Sequence, residues 1–193
     1  MAAGKVCTGF SYPFVALYAA QSGTITYSSG QQLARGVSVS ASADQADDNN
    51  FYADNVIAET SAGVFTSGEI TLTVDGLFQT AEKLIMGLPT ASTSGLIPYD
   101  DDQAIPDVGI GFVARYMSDG ATTYTPYIFP RAAFKFPAID AATQEESVDW
   151  QTRDLTATIK RADDTKRTWK YVGGESTTET AAVTIIKNFL NIS

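Results

Sequence analysis

The sequence predicts a mainly β fold with a flanking helix and a second helix near residue 193. Three observations predict it. Apolar and polar residues alternate strictly in several stretches, an apolar stripe at three- and four-residue steps follows one of them, and a Ser-x-x-Glu pair opens a second such stripe late in the chain. A period of two marks a strand with one buried face; steps of three and four mark one face of a helix.

The strongest strand pair brackets residues 32–75. Leu33, Val37, Val39, Ala41 and Ala43 fall on one side, with Ala34, Gly36, Ser38, Ser40 and Ser42 on the other. Ile70, Leu72 and Val74 then alternate with Glu69, Thr71, Thr73 and Asp75. Each strand has one oily face and one face of small polar or acidic groups. Between them lie an acidic turn over 44–50 and a mixed segment over 51–60, read as an extended arm or an irregular strand. A helix is expected over 77–86, where Leu77, Phe78, Ala81, Leu84 and Ile85 share a stripe continued by Leu88. Asp75 is placed to cap it, Gly87 offers a left-handed stop, and Pro89 prevents continuation.

Residues 90–107 read as a solvated acidic loop. The run Asp100, Asp101, Asp102 lacks the alternating oxygen ligands, turn glycine and closing Glu of a calcium loop, as do Asp44, Asp47 and Asp48. Residues 109–117 alternate again and end in the turn Ser118-Asp119-Gly120, so a hairpin follows. The partner, 124–136, carries Pro126 and Pro130 and is expected at a sheet edge or bent. A loop is expected over 138–148, a clean strand over 151–160, a turn at Asp163-Asp164 and a short return strand over 169–172. Ser176 and Glu179 form a capping-box pair ahead of Ala182, Val183, Ile186, Phe189 and Leu190 on one face. The β-branched run 183–186 leaves a strand as the alternative there.

At 193 residues the chain is expected to be one domain able to bury a sizeable core. An apolar stretch over 10–20 behind Lys5 resembles a signal peptide, but Tyr12-Pro13 interrupts it and the positive region is one residue, which argues against that reading. No stretch approaches the roughly 20 apolar residues of a membrane span. The net charge of −9 argues against a protein that grips nucleic acid, which needs a basic stripe. Cys7 is the one cysteine, and histidine is absent. No intrachain disulfide is available, and neither is the commonest general base at neutral pH.

Charge is unevenly spread. Residues 40–110 hold twelve acidic side chains and one basic, Lys83, whereas 111–170 hold eight acidic and nine basic. Unlike halves suit head-to-tail contact between copies, which closes into rings or propagates as filaments. Motifs for catalysis are missing: no nucleophile elbow, phosphate loop or zinc spacing occurs. A carboxylate pair for glycoside hydrolysis remains the enzymatic alternative. A secreted or surface β-sandwich adhesin is the other.

Several segments together carry a resemblance. They are the opening 9–20, LARGVSVSAS (33–42), FYADNVIAET (51–60), GEITLTVDGL (68–77) with its short helix, VGIGFVARY (108–116) and TQEESVDWQT (143–152). The most specific part is YADN…E followed by TLTVDGL. In these the chain resembles the phi13-type major tail proteins of long-tailed bacteriophages, the subunits of the tail tube. The resemblance implies a single tail-tube domain, a β-sandwich or partly rolled barrel with a flanking helix, an N-terminal arm over about 1–30 and a C-terminal segment from about 175. It implies a non-enzymatic structural protein without cofactors, located in the virion tail and assembled in the host cytoplasm. Six copies would form a ring, and rings would stack into a hollow conduit for DNA. The implied partners are other copies, a tape measure, a tail terminator and a tail tip, with DNA passing unbound and no membrane involved.

Candidate lumen-facing residues are either Ser38, Ser40 and Ser42 or Glu69, Thr71 and Thr73. A wet wall of hydroxyl and acidic groups would repel phosphate. Candidate inter-subunit contacts are Asp44, Asp47, Asp48, Phe51, Tyr52, Asp54, Asp100, Asp101 and Asp102.

Overall fold

The computed structural model describes residues 4–89, 95–139, 141, 143 and 150–193. Among these described residues, ten strands and two helices follow one another: β1 (Val6–Gln21), β2 (Thr24–Gln32), β3 (Gly36–Gln45), β4 (Asn49–Ala53), β5 (Val56–Ser61), β6 (Phe65–Val74), α1 (Gln79–Met86), β7 (Val108–Ser118), β8 (Ala121–Phe134), β9 (Arg153–Ile159), β10 (Tyr171–Val172) and α2 (Glu179–Phe189). Strands β2-β1-β7-β8-β9-β6-β3 form one antiparallel sheet in that order, with β10 added against β8. Strands β4 and β5 pair only with each other. The stretch expected as an arm over about 1–30 is largely the β1–β2 hairpin.

The sheet rolls towards a barrel without closing. In a flat sheet β1 and β3 would lie about 24 Å apart, five strand spacings. Here Phe10 of β1 lies over the start of β3, so close that a Cβ on Gly36 would sit 2.2 Å from its ring. The amide of Leu33, just before β3, donates to the Pro13 carbonyl at 2.8 Å. Alternation then dictates the core. Val15, Ile70, Leu72, Val74, Val108, Ile110, Leu155, Ala157 and Ile159 all point into the roll and are buried. Each large aliphatic side chain so buried contributes about 1.5–3 kcal/mol.

Helix α1 presents Ala81, Ile85 and Met86 to that interior, as its stripe predicts. Gly87 ends it in the left-handed region at φ 64°. The expected cap does not form. Phe78 holds the N-cap position without a side-chain bond, and Asp75 instead accepts from the Arg35 amide at 3.0 Å. Asp75 lies too far ahead of Gln79 to reach the free amides of the first turn.

Helix α2 covers the other face of the sheet through Ala182, Ile186 and Leu190. Its alternative as a strand is thereby settled. Its cap is Thr178, which accepts from the Ala181 amide, rather than Ser176. Ser176 is drawn off into a backbone bridge with Tyr124, and Glu179 accepts from Ser11 at 2.5 Å. The sequence VGIGFV in β7 now has a reason. Val108, Ile110 and Phe112 face inward, while Gly109 and Gly111 leave space for Leu190 and Ile186.

The proline-bearing strand β8 is central, not an edge. It pairs with β7 along most of its length, and with β9 at residues 132–134. Bonds from Tyr124 to Ser176 and from Gly173 to the Pro126 carbonyl show that the backbone groups of residues 124 and 126 face away from β7, whereas past a register shift near Pro130 it is Arg131 and Lys135 that bond towards β9. The donor that Pro126 lacks therefore falls on the second side, against β10, and Pro130 lies where the register with β7 shifts between the pairs Ile110–Phe129 and Val108–Ala132. One ring thus sits on the side away from β7 and the other at an irregularity of the ladder, the expected bend, which is how a central strand tolerates both. The loop expected over 138–148 lies largely outside the described residues, as does most of the 143–152 motif.

Candidate functional site

The register joins the two candidate lumen faces into one. Ser38 lies opposite Thr73, Ser40 opposite Thr71 and Ser42 opposite Glu69. On the far side of β6, Thr73 faces Asp154, Thr71 faces Thr156 and Glu69 faces Thr158. Side chains directly opposite across antiparallel strands share a face. The result is a three-by-three field of small hydroxyl and acidic groups on β3, β6 and β9, all exposed or half-buried. Thr73 donates to Asp154 at 2.7 Å, and the Thr71 and Thr156 hydroxyls are 3.3 Å apart. Lys135 pairs with Glu69 at the field's margin. Sequence reasoning read the alternation of 152–160 but did not nominate Asp154, Thr156 or Thr158. Only the strand order reveals that β9 extends the face.

The contact candidates separate into two places. Asp44 lies in β3 opposite Ser67, while Asp47, Asp48, Phe51, Tyr52 and Asp54 belong to an arm that leaves the sheet where Gln45 pairs with Phe65. The segment 51–60 is not one irregular strand. It is most of a hairpin turned at Asp54-Asn55, with φ 51° and 64°. Two consecutive left-handed residues make the tight turn that matches strand twist, and Asp and Asn tolerate that region best. At its base, Asp48 accepts from the Gly63 amide at 2.8 Å, and Asp44 accepts from the Ser67 hydroxyl at 3.0 Å. Beyond the base every residue of β4 and β5 is exposed, including Phe51 at 65 % and Tyr52 at 61 %. A two-stranded ribbon with both faces wet is marginal by itself.

Asp100, Asp101 and Asp102 are elsewhere, in an exposed turn held against α1. Gln103 donates to the Met86 carbonyl at 2.7 Å, and Tyr99 donates to Glu82 at 3.1 Å. Glu82 in turn holds Arg153, at the end of β9 remote from the arm. The arm and the aspartate turn are therefore not one surface.

A basic loop, 160–170, follows β9 at the arm's base. Asp164 organises it by accepting from the Thr168 amide at 2.8 Å and its hydroxyl at 2.7 Å, bonds that hold its carboxyl below the usual range. Arg161 donates to the Phe65 carbonyl, while Lys166 and Arg167 are exposed. Among the described residues both outer sheet edges are open, since β2 pairs only with β1 and β3 only with β6. Among the described residues, no three acidic or cysteine side chains are grouped to hold a metal ion, and no helix is long and apolar enough to cross a membrane. No family model matches the chain, and no curated protein matches it.

Proposed function

We propose that this chain is a structural subunit of a bacteriophage tail tube, assembling into stacked hexameric rings around a conduit for DNA. The observation that carries the proposal is the continuous hydroxyl-rich field on β3, β6 and β9 at an open end of the sheet. An edge strand such as β3 is a template for pairing, and a ring of copies would cover it. In that ring the field would line the lumen. Its carboxylates and hydroxyls offer no cationic stripe to displace counterions, so DNA would slide without sticking. The exposed arm supplies the second element that assembly requires, a segment incomplete until another copy covers it. The acidic and basic regions give the unlike surfaces of a heterologous contact.

Electron microscopy of the concentrated protein tests this reading. Rings or hollow tubes of uniform width, with six subunits around, are the expected result. Dispersed monomers at every concentration, including after addition of preformed tail tips, would overturn it and favour a surface adhesin.

A further inference from the structure

We infer that the tip of the arm seats in a cleft of a second copy, the cleft formed between the start of β6 and the basic loop 160–170. The inference rests on the tail-tube reading and names the partner surface that the arm requires. The cleft encloses about 470 Å³ and is lined by Val64, Phe65, Ser67, Ile159, Arg161 and Arg167 among others. Its wall is firm, because Phe65 stacks on Trp169 with ring centroids 4.6 Å apart and planes 2° from parallel. Its floor is apolar and its rim is cationic.

The arm is the complement of that cleft. Beside the turn, Phe51 and Val56 lie on one face of the ribbon and Tyr52 and Ile57 on the other, each more than half exposed. Residues 44–59 carry Asp44, Asp47, Asp48, Asp54 and Glu59 and no basic residue. Asp44 and Asp48 are spent at the base, which leaves Asp47 near it and Asp54 and Glu59 further out. Residues 160–170 carry Lys160, Arg161, Lys166, Arg167 and Lys170 against Asp163 and Asp164. Apolar side chains at the centre with opposite charges at the rim is the usual anatomy of a protein interface.

The occupant is a second copy rather than the chain's own arm. The cleft adjoins the base of its own arm, and the hairpin runs several residues outward from there before its two-residue turn. At about 3.3 Å per residue the tip stands well beyond the cleft it springs from. In a cyclic ring all equivalent ends lie on one level, so an arm leaving that end meets the same end of its neighbour.

Two measurements on the full chain test the contact. In a Cys7→Ser background, Ala53→Cys protein is mixed with Thr66→Cys protein and treated with a short bismaleimide, with Phe78→Cys, exposed ahead of α1, as the comparison. Separately, Glu59→Arg and Arg167→Glu are each expected to cut assembly roughly tenfold, and the two changes in one chain to restore it. Linkage of Ala53→Cys to Thr66→Cys with charge-swap rescue is the expected result. Tubes that form while the link goes to Phe78→Cys, or to neither, overturn this contact and leave the tail-tube reading intact. A link in concentrated protein that never forms tubes keeps the contact and overturns the tube. Neither link nor tubes overturns both.

Discussion

Arg131 donates its Nε to Asp107 at 2.7 Å, and Lys160 reaches the other oxygen of the same carboxylate at 2.7 Å. This pairing ties the residue before β7 to the middle of β8 and the end of β9. Arg131 also spans to Asp163 at 2.9 Å, which anchors the basic loop. Burial acts to raise the Asp107 pKa, but the bonds and charges of Lys160 and Arg131 outweigh it and hold the carboxyl below its ordinary value. A depressed folded pKa contributes stability that is fully present above the unfolded value, about 3.9, and is lost as pH falls through the folded one. Asp107→Asn is therefore expected to lower the melting temperature at pH 7, with the gap to the parent protein narrowing below about pH 4. Thermal unfolding at pH 7 and pH 3 measures both gaps. An equal gap at the two values would remove Asp107 from the acid response.

Close packing of α2 depends on a missing side chain. A Cβ on Gly111 would lie 2.4 Å from Cγ2 of Ile186, which is fully buried. Gly111→Val is expected to cost about 1–3 kcal/mol through overpacking. Ile186→Ala is expected to cost about 2–5 kcal/mol through the cavity it leaves. Combined, they should cost less than the sum, because the valine fills part of the space vacated. Chemical denaturation of the three variants gives the coupling. Strict additivity would mean that α2 shifts as a body instead.

The hydroxyl field makes a prediction about DNA. Ser40 sits on it directly opposite Thr71 and is exposed. Ser40→Lys would repeat one cation around every ring without disturbing the core behind it. Tubes of this variant are expected to retain duplex DNA at low salt and to release it steeply as salt rises, whereas parent tubes retain little. The control is Thr180→Lys, on the solvent side of α2. Retention by the control equal to that of Ser40→Lys would place the field away from the DNA path.

Much of this architecture was legible because alternation is a local signal. The strands over 33–43, 69–75, 109–117 and 151–160, the Gly87 stop and the turn at Asp119-Gly120 each follow from neighbouring residues. What was not legible depends on pairing at long range. The sequence left Ser38, Ser40, Ser42 and Glu69, Thr71, Thr73 as competing faces, because only register can say that they coincide. Asp154, Thr156 and Thr158 were missed for the same reason. Pro126 and Pro130 pointed to an edge or a bend; the register shift at Pro130 is the bend, and the edge is absent because a local rule cannot tell which side of a strand loses its donor. Ser176 looked like a cap until its backbone was claimed by Tyr124, and Thr178 took the role. The one local signal overlooked was Asp54-Asn55, a pair suited to two successive left-handed residues.

That turn also decides how the arm is best removed. Deleting 45–50 would cut Gln45 from Phe65 and strip β5 of part of its partner. The structure offers a cleaner cut. Ala46 donates its amide to the Val64 carbonyl at 2.9 Å, the last bond before the arm. Replacing 47–63 with Asn-Gly would close a two-residue hairpin on that pair, since this dipeptide favours the required left-handed turn. No buried side chain is lost, so the melting temperature is expected to move by less than about 3 °C. Tube growth, followed by light scattering and microscopy, is expected to stop, because the exposed Phe51, Tyr52, Val56 and Ile57 are gone. Stable subunits that no longer elongate would separate the arm's role in assembly from any role in folding. Tubes of ordinary length would assign elongation to the sheet edges alone.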